Sequence, residues 1–403
     1  MRGRTITTLA DVCESVRYGY TASASLDSCG PRFLRITDIV PDSLDWESVP
    51  YCEIDDSDKE RFALRVGDIV VARTGATVGY AKLIREPADA VFASYLVRFR
   101  VDSKIADSGF IGRLVESHVY KSFVQSRIGG AAQPNASAPV LGNFEFSLPS
   151  RQAQTRIAEI LSAYDDLIEN NRRRMTLLED AARQLYREWF VRLRFPGREH
   201  TRITDGVPEG WERKRIGNIT DCVGGGTPST SVSTYWEGGN ITWVTPTDVT
   251  RNKHFVLLDS EKKITEAGLK ASSTKLVPAH ALLMTSRASV GFFAITGREV
   301  CTNQGFISVV PQDPTLSSYL LFHLSERVEE IRSMGSGSTY PEVSRGKFRE
   351  FEVLIPKYPL ISAFNEQVTE LMKQIRILKQ QNEKLRTARD LLLPRLMNGA
   401  ISV

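Results

Sequence analysis

IAEILSAYDDLIENNRRRMTLLEDAARQLYREWF, residues 157–190, returns an apolar side chain every seven positions, and it occurs twice. The second copy, FNEQVTELMKQIRILKQQNEKLRTARDLLLPRLM, occupies residues 364–397. A spacing of seven lays a seam along one face of a helix packed on another helix. In the first copy one seam line holds Ile157, Tyr164, Asn171, Leu178 and Leu185, and the other holds Leu161, Ile168, Met175, Ala182 and Trp189. In the second copy the same registers give Phe364, Leu371, Leu378, Leu385 and Leu392, then Val368, Ile375, Asn382, Arg389 and Leu396. Such a stripe must be buried, and the economical partner for each helix is the other. Position 157 aligns with 364 and 178 with 385, a constant offset of 207.

The repeat reaches beyond the helices. GAAQPNASAPVLGNFEFSLP (130–149) aligns without gaps on GSTYPEVSRGKFREFEVLIP (337–356), again at 207. Gly130/Gly337, Pro134/Pro341, Ser137/Ser344, Phe144/Phe351, Glu145/Glu352 and Pro149/Pro356 are identical. ARTGATVGYA (72–81) resembles MTSRASVGFF (284–293) at offset 212, which sets Gly75 against Arg287. FLRITDIV (33–40) resembles WVTPTDVT (243–250) at offset 210, and LADVCESV (9–16) resembles IGNITDCV (216–223) at 207. The whole chain therefore reads as two copies of one unit, a globular part followed by a long helix.

Apolar content of 41% and charged content of 25% fit a water-soluble globular chain. No apolar run is long enough for a membrane span. The N-terminal MRGRTITTLADVC lacks the apolar segment of a signal peptide. Cys13, Cys29, Cys52, Cys222 and Cys301 are scattered and odd in number, which suits a reducing cytoplasm and argues against a zinc site or a disulfide frame. A net charge of +4 permits nucleic-acid binding without requiring it.

Each globular part reads as mixed α/β. Residues 64–84 form two short strands about a turn at Arg73-Thr74-Gly75. In 91–101, Tyr95, Val97 and Phe99 alternate with Leu96, Arg98 and Arg100, a strand pattern. Residues 110–128 and 319–334 are helical, and Ser150 is placed to cap the first long helix, which ends near Phe190. Residues 194–210 are a linker rich in Gly, Pro and charge. Further strands fall at 282–284 and 306–310, and Asn398-Gly399 suits a helix stop.

The chemistry that is missing narrows the function. There is no P-loop and no dinucleotide-binding glycine turn. No Pro-Pro dipeptide exists, so the loop that would flip and methylate an adenine is absent. His118, His200, His254, His280 and His323 have no metal spacing. Asp248 followed by Glu261-Lys262-Lys263 resembles a loose nuclease pattern, but the first copy has no counterpart of Glu261 or Lys263. No convergent acid, base and nucleophile is evident, and no metal site is expected.

What remains is a paired set of polar loop residues. The first copy offers Arg35 and Thr37, then Arg73, Thr74 and Thr77, then Ser94 and Tyr95, then Gln133 and Asn135. The second offers Thr245 and Thr247, Ser286, Arg287 and Ser289, Asn303 and Gln304, and Tyr340. Arg matches guanine edges, Asn and Gln match adenine, and Ser, Thr and tight Gly turns hold phosphates. The scaffold residues repeat while the tips vary, as two readers of different sequences would.

The chain resembles the specificity subunit of a type I restriction-modification system. The resemblance rests on GGGTPSTS…YWEGGNITWVTPTD (224–248), SRASVGFFAI (286–295), TNQGF (302–306), FEVLIP (351–356), LRTARDLLLPRLMNGAI (385–401) and Val207-Pro208-Glu209-Gly210-Trp211. In the first half it rests on RTGATVG (73–79) and LIENNRRRMTLLEDAARQLYREWF (167–190). It implies two α/β (α+β) target recognition domains held apart by two long antiparallel coiled-coil helices, with an internal two-fold pseudo-repeat. The expected organisation is a first recognition domain at 1–150, a first helix at 151–193, a linker at 194–207, a second recognition domain at 208–357 and a second helix at 358–403. Each domain would read one half of an asymmetric bipartite site in double-stranded DNA. The helices would set the spacing and dock two methyltransferase subunits, and two restriction-translocase subunits would join for cleavage. The chain itself would be non-catalytic and free of cofactors, with S-adenosylmethionine, ATP and Mg on other subunits. The alternative is a coiled-coil adaptor that binds protein and no DNA.

Overall fold

The computed structural model describes residues 5–41, 44–128, 134–335, 342–397, 399–401 and 403. It divides into two compact units, Met1–Asp166 with Leu385–Val403, and Leu167–Lys384. Two long helices, α1 (Arg151–Tyr186) and α2 (Tyr358–Met397), each cross this division. Ser150 caps α1, its Oγ accepting from the Ala153 amide at 3.4 Å. A looser π turn, Arg187–Val191, follows the last α turn.

The second unit repeats the first element by element. Thr5–Thr8 pairs antiparallel with Glu145–Leu148, Thr5 opposite Leu148. Glu212–Arg215 pairs with Glu352–Ile355 in the same way, Glu212 opposite Ile355. The main sheet of the first unit runs in the order Cys13–Tyr18, Leu96–Val101, Asp68–Ala72, Ala81–Leu83. Its counterpart runs Thr220–Gly224, Phe306–Pro311, Leu282–Thr285, Phe293–Thr296, and adds Val256–Leu257 at the edge. A parallel pair, Arg32–Leu34 with Ala90–Phe92, recurs as Ile241–Val244 with Cys301–Thr302.

Strand Leu96–Val101 differs from its sequence reading. Tyr95 lies in the turn before it and is exposed, not on the inward face with Val97 and Phe99. Both faces of the strand are buried. Ile69, Val71, Val97 and Phe99 enter one core, while Val70, Ala72, Phe92 and Leu96 enter another. Alternation here sorts side chains between two cores rather than between core and water. Arg98 is consequently 2% exposed, and burial pushes its pKa down to about 10. Arg100 forks onto the buried Asp68 through Nε and Nη2, both at 2.7 Å. The helix expected over 110–128 breaks at Ser117, whose hydroxyl caps the second piece by accepting from the Tyr120 amide.

The heptad seam is buried within each unit, and in each the two helices run antiparallel. In the first unit Ile157 and Leu161 share a core with Leu396, and Leu392 packs against it. In the second, Met175 meets Ile375 and Leu378, and Ala182 and Trp189 share a core with Phe364 and Val368. Ile168 is 4% exposed, while Leu178, Leu185 and Leu371 pack at the margins of these clusters. Tyr164 and Leu385 are half-buried. In the second unit the seam carries a polar rung, where Asn171 Nδ2 donates to Asn382 Oδ1 at 2.9 Å and Asn382 Nδ2 donates to the Ile168 carbonyl at 3.2 Å.

Polar anchors tie the helices to the rest of each unit. Arg113 and Arg389 both pair with Asp165 in the first unit. Burial alone would raise the Asp165 carboxyl, but Arg113, Arg389 and Arg85 hold it below the usual carboxylate value. In the second unit, Glu179 Oε2 accepts from the Phe255 amide at 2.8 Å, and the Lys379 ammonium donates to the Val256 carbonyl at 2.5 Å. That lays the extra strand on the helix pair, with Val256 against Met175, Ile375 and Leu378. Asn398 lies outside the described residues.

Candidate nucleic-acid interface

The polar tip of each domain is built where the turn after a central strand meets the loop before a short helix. In the first domain the Arg73 amide donates to the Tyr95 carbonyl (3.0 Å) and the Ala136 amide to the Arg73 carbonyl (2.8 Å). In the second, the Ser286 amide donates to the Gly305 carbonyl and the Val343 amide to the Ser286 carbonyl (2.8 and 2.9 Å). Arg73 is therefore equivalent to Ser286, Thr74 to Arg287, Tyr95 to Gly305 and Asn135 to Glu342. The isolated bridges Thr74 with Asn135 and Arg287 with Glu342 agree.

This corrects the matching of Gly75 with Arg287. Gly75, at φ 79°, corresponds to Ala288, a non-glycine at φ 60°. The second turn is one residue shorter and regains register at Gly79 and Gly291, at φ 85° and 88°. The first strand shifts too. An irregularity at Cys13/Ser15 brings Tyr18 opposite Val97, where Gly224 stands opposite Ile307.

Arg73, Thr74, Ser94, Tyr95 and Asn135 converge with Pro134 around one cavity. Tyr95, at 60% exposure, and Asn135 are its exposed members. Thr77, half-buried in the same turn, is not part of the lining. Arg35 and Thr37 do not join it either. Arg35 directs Nε and Nη2 at Asp38 (3.1 and 3.0 Å), and Asp38 also accepts from the Arg35 amide, closing a helix cap. Thr245 plays the same part opposite Asp248 (2.8 Å from its amide, 2.7 Å from its hydroxyl), while Thr247 is exposed. Gln133 and Tyr340 lie outside the described residues.

In the second domain Arg287 and Ser289 are exposed on the turn and Ser286 is buried beneath them. Arg287 Nε lies 3.7 Å from Glu342. Asn303 turns its side-chain oxygen back to the Gly305 amide (2.9 Å), which leaves Gln304 as the exposed amide. The Thr227 hydroxyl donates to Gln304 Oε1 at 2.6 Å, so the Gln304 amide is oriented before any ligand arrives.

Several residues of these tips escaped the sequence reading. Tyr18 packs under Arg73, and Thr227 holds Gln304. Arg345 brings Nη1 within 3.6 Å of where a Cβ on Gly224 would lie. Gly19 and Gly225 press so closely on the carbonyls of residues 93 and 303 that a Cβ would come within 2.2 and 2.0 Å of them. Only the glycines left a signal, one in each copy at the end of the same strand.

The nuclease-like pattern does not assemble. Asp248 spends one oxygen on Thr245 and the other on the Glu261 amide (3.0 Å), Glu261 faces Arg251, and Lys263 pairs with Asp259. Among the described residues no cluster of His, Cys, Asp and Glu could hold a metal ion, and no helix is long and apolar enough to cross a membrane.

Comparison with known proteins follows the repeat. The family model of the type I restriction modification DNA specificity domain matches residues 3–180 and again 208–387. The type I restriction enzyme MjaIX specificity subunit of Methanocaldococcus jannaschii is 34% identical over 183 residues, which span 43% of this chain and 42% of that one. The HindI specificity subunit of Haemophilus influenzae is 22% identical, with 70% of this chain and 74% of the relative aligned. Thus the chain spans less than half of the first of these relatives and about three quarters of the second. The crystal structure of a type I restriction-modification S subunit from M. genitalium shares the fold, with a TM-score of 0.58 at 15% identity over 98% of this chain and 96% of that one.

Proposed function

This chain belongs to the type I restriction-modification DNA specificity family, and we propose that it is the subunit that selects the DNA sequence for such a system. One observation carries the reading. The second domain repeats the first element by element, yet equivalent tip positions hold different groups: Arg73 against Ser286, Thr74 against Arg287, Asn135 against Glu342. A duplicated scaffold with divergent tips suits a protein that reads two different half-sites.

Each domain reads one half of an asymmetric bipartite site in double-stranded DNA. Both long helices run through both units, so the helix pair is the element able to fix the spacing of the half-sites. Its outer faces dock two methyltransferase subunits, which carry S-adenosylmethionine and modify one adenine in each half-site. Two restriction-translocase subunits bring ATP and Mg for cleavage. This chain supplies recognition without chemistry of its own, in the cytoplasm where the DNA lies. The net charge of +4 is modest for a DNA reader, as fits partners that share the phosphate contacts.

The test is long-read mapping of N6-methyladenine in the host with and without this gene. Loss of one asymmetric bipartite motif on deletion is the expected result and gives the sequence and spacer directly. Retention of every such motif, in a host whose methyltransferase subunits are expressed, would overturn the assignment. Salt-dependent binding of the full chain to duplex DNA separates it further from a protein-binding adaptor.

A further inference from the structure

The cavity at the tip of the first domain measures about 330 Å³ and is lined by Arg73, Thr74, Ser94, Tyr95, Pro134 and Asn135. Resting on the reading that this chain selects DNA sequence, we infer that this cavity recognises one guanine of the first half-site through Arg73, and that Tyr18 is the positioning residue that makes this possible.

Arg73 is braced by two side chains, Tyr18 and Asn135. Its guanidinium carbon lies 4.8 Å from the centroid of the Tyr18 ring, a cation–π distance. Its Nη2 donates to Asn135 Oδ1 at 3.3 Å. Its Nε is buried with no hydrogen-bond partner among the described residues. The supports are themselves fixed. The Tyr18 hydroxyl accepts from the Ala138 amide at 2.9 Å, pinning the ring to the start of helix Ala138–Gly142. The loop carrying Asn135 is tied to the Arg73 turn by the Gly75 amide to the Pro134 carbonyl (3.0 Å) and the Ala136 amide to the Arg73 carbonyl (2.8 Å).

A guanidinium supported by a ring and bridged to a side chain keeps its plane. A fixed plane also serves a phosphate, whose oxygens accept the same fork, but there it carries no sequence information. It matters greatly to a base edge. Guanine presents two coplanar acceptors, O6 and N7, which the two parallel donors of a guanidinium match. Adenine presents one donor and one acceptor, which suits Asn. Here, however, Asn135 Oδ1 already accepts from Arg73, so Asn135 serves better as a brace than as a reader.

The device is confined to one domain. In the second, Gly224 stands at the place of Tyr18, Ser286 at that of Arg73 and Glu342 at that of Asn135. Disturbing the brace should therefore alter one half-site and spare the other.

The test uses the full chain co-expressed with its methyltransferase partner. The probes are duplexes carrying the bipartite motif mapped in the host, with every base pair of both half-sites substituted in turn. The readouts are methylation rate and equilibrium binding. R73K keeps the charge and loses the fork, and Y18L removes the ring. Both should lose discrimination at one and the same G·C pair of the first half-site, by about tenfold to a hundredfold. Y18F keeps the ring and should recover most of what Y18L loses, while discrimination in the second half-site stays intact in all three variants. Thermal unfolding of each purified complex serves as the folding control.

Uniform weakening on all duplexes would show a phosphate contact and overturn the inference. So would loss at different pairs in R73K and Y18L, or a first half-site with no sensitive G·C pair. If no bipartite motif depends on the chain at all, the functional assignment has failed before this one is reached.

Discussion

Arg287 is more than half exposed on the second domain's turn, with Glu342 beside it at 3.7 Å. An exposed ion pair of this kind is worth little to folding, so the guanidinium is available to DNA. Arg287→Ala should cost about 1–3 kcal/mol at one base pair of the second half-site and leave the substitution profile of the first unchanged. Equal weakening on unrelated duplexes, measured across a salt series, would mark a phosphate contact instead. At this scale the sequence was only partly legible. An Asp stands three residues beyond both Arg35 and Thr245, and each side chain bonds that Asp at the start of a short helix. Tyr18 gave no local signal. Its role depends on Arg73 and Ala138, far along the chain, and its counterpart in the repeat is a glycine.

The helix seam was readable because a period of seven is a local property that the folded helices keep. The same seam carries a rung whose cost can be measured. Asn171→Leu leaves Asn382 Oδ1 without its donor, and a buried unsatisfied acceptor costs about 1–3 kcal/mol. Changing both Asn171 and Asn382 to Leu should restore most of that loss, since an apolar pair fits the surrounding positions. A double-mutant cycle by thermal unfolding checks this, and additive losses would argue against the pairing. Leu378→Asp is the harsher change. It buries a carboxylate against Met175, Ile375 and Val256 and should destabilise by roughly 3 kcal/mol or more. Normal melting together with unchanged site spacing would refute the packed helix pair. The strands were less legible than the helices. Their alternation located Leu96–Val101 but could not reveal that both its faces are covered.

Stability of the molecule should depend on pH through His323. Its ring is buried, with Nδ1 2.8 Å from the Tyr186 hydroxyl and Nε2 3.2 Å from Arg327 Nη1. Arg327 can only donate, which assigns the proton to Nδ1. Burial, then Arg327, pushes the His323 pKa from 6.5 down to about 3. The unfolded chain therefore takes up a proton first as pH falls. The stability this group contributes is complete above pH 6.5 and is lost between about pH 6.5 and 3, by up to about 1.4 kcal/mol per pH unit. His323→Asn should lower the melting temperature at pH 8 and flatten its decline toward pH 5. An unaltered decline would place the titration elsewhere. The two-copy plan at this scale was written in the sequence offsets. The division inside both helices was not, because the repeat describes how the chain was duplicated rather than which residues share a core.

That division has a consequence for synthesis. Leu392, Leu393, Leu396 and Met397 complete the core that Leu9, Phe99, Phe110 and Ile157 begin, yet residues 167–384 are translated in between. At about 5–20 residues per second, the first domain waits on the order of ten to forty seconds at the ribosome with one side of its core open. The second unit, whose residues emerge in a single stretch, is free to close first. For that interval the earlier-made domain depends on whatever shields nascent apolar surface in the cell, although it is the first to be translated.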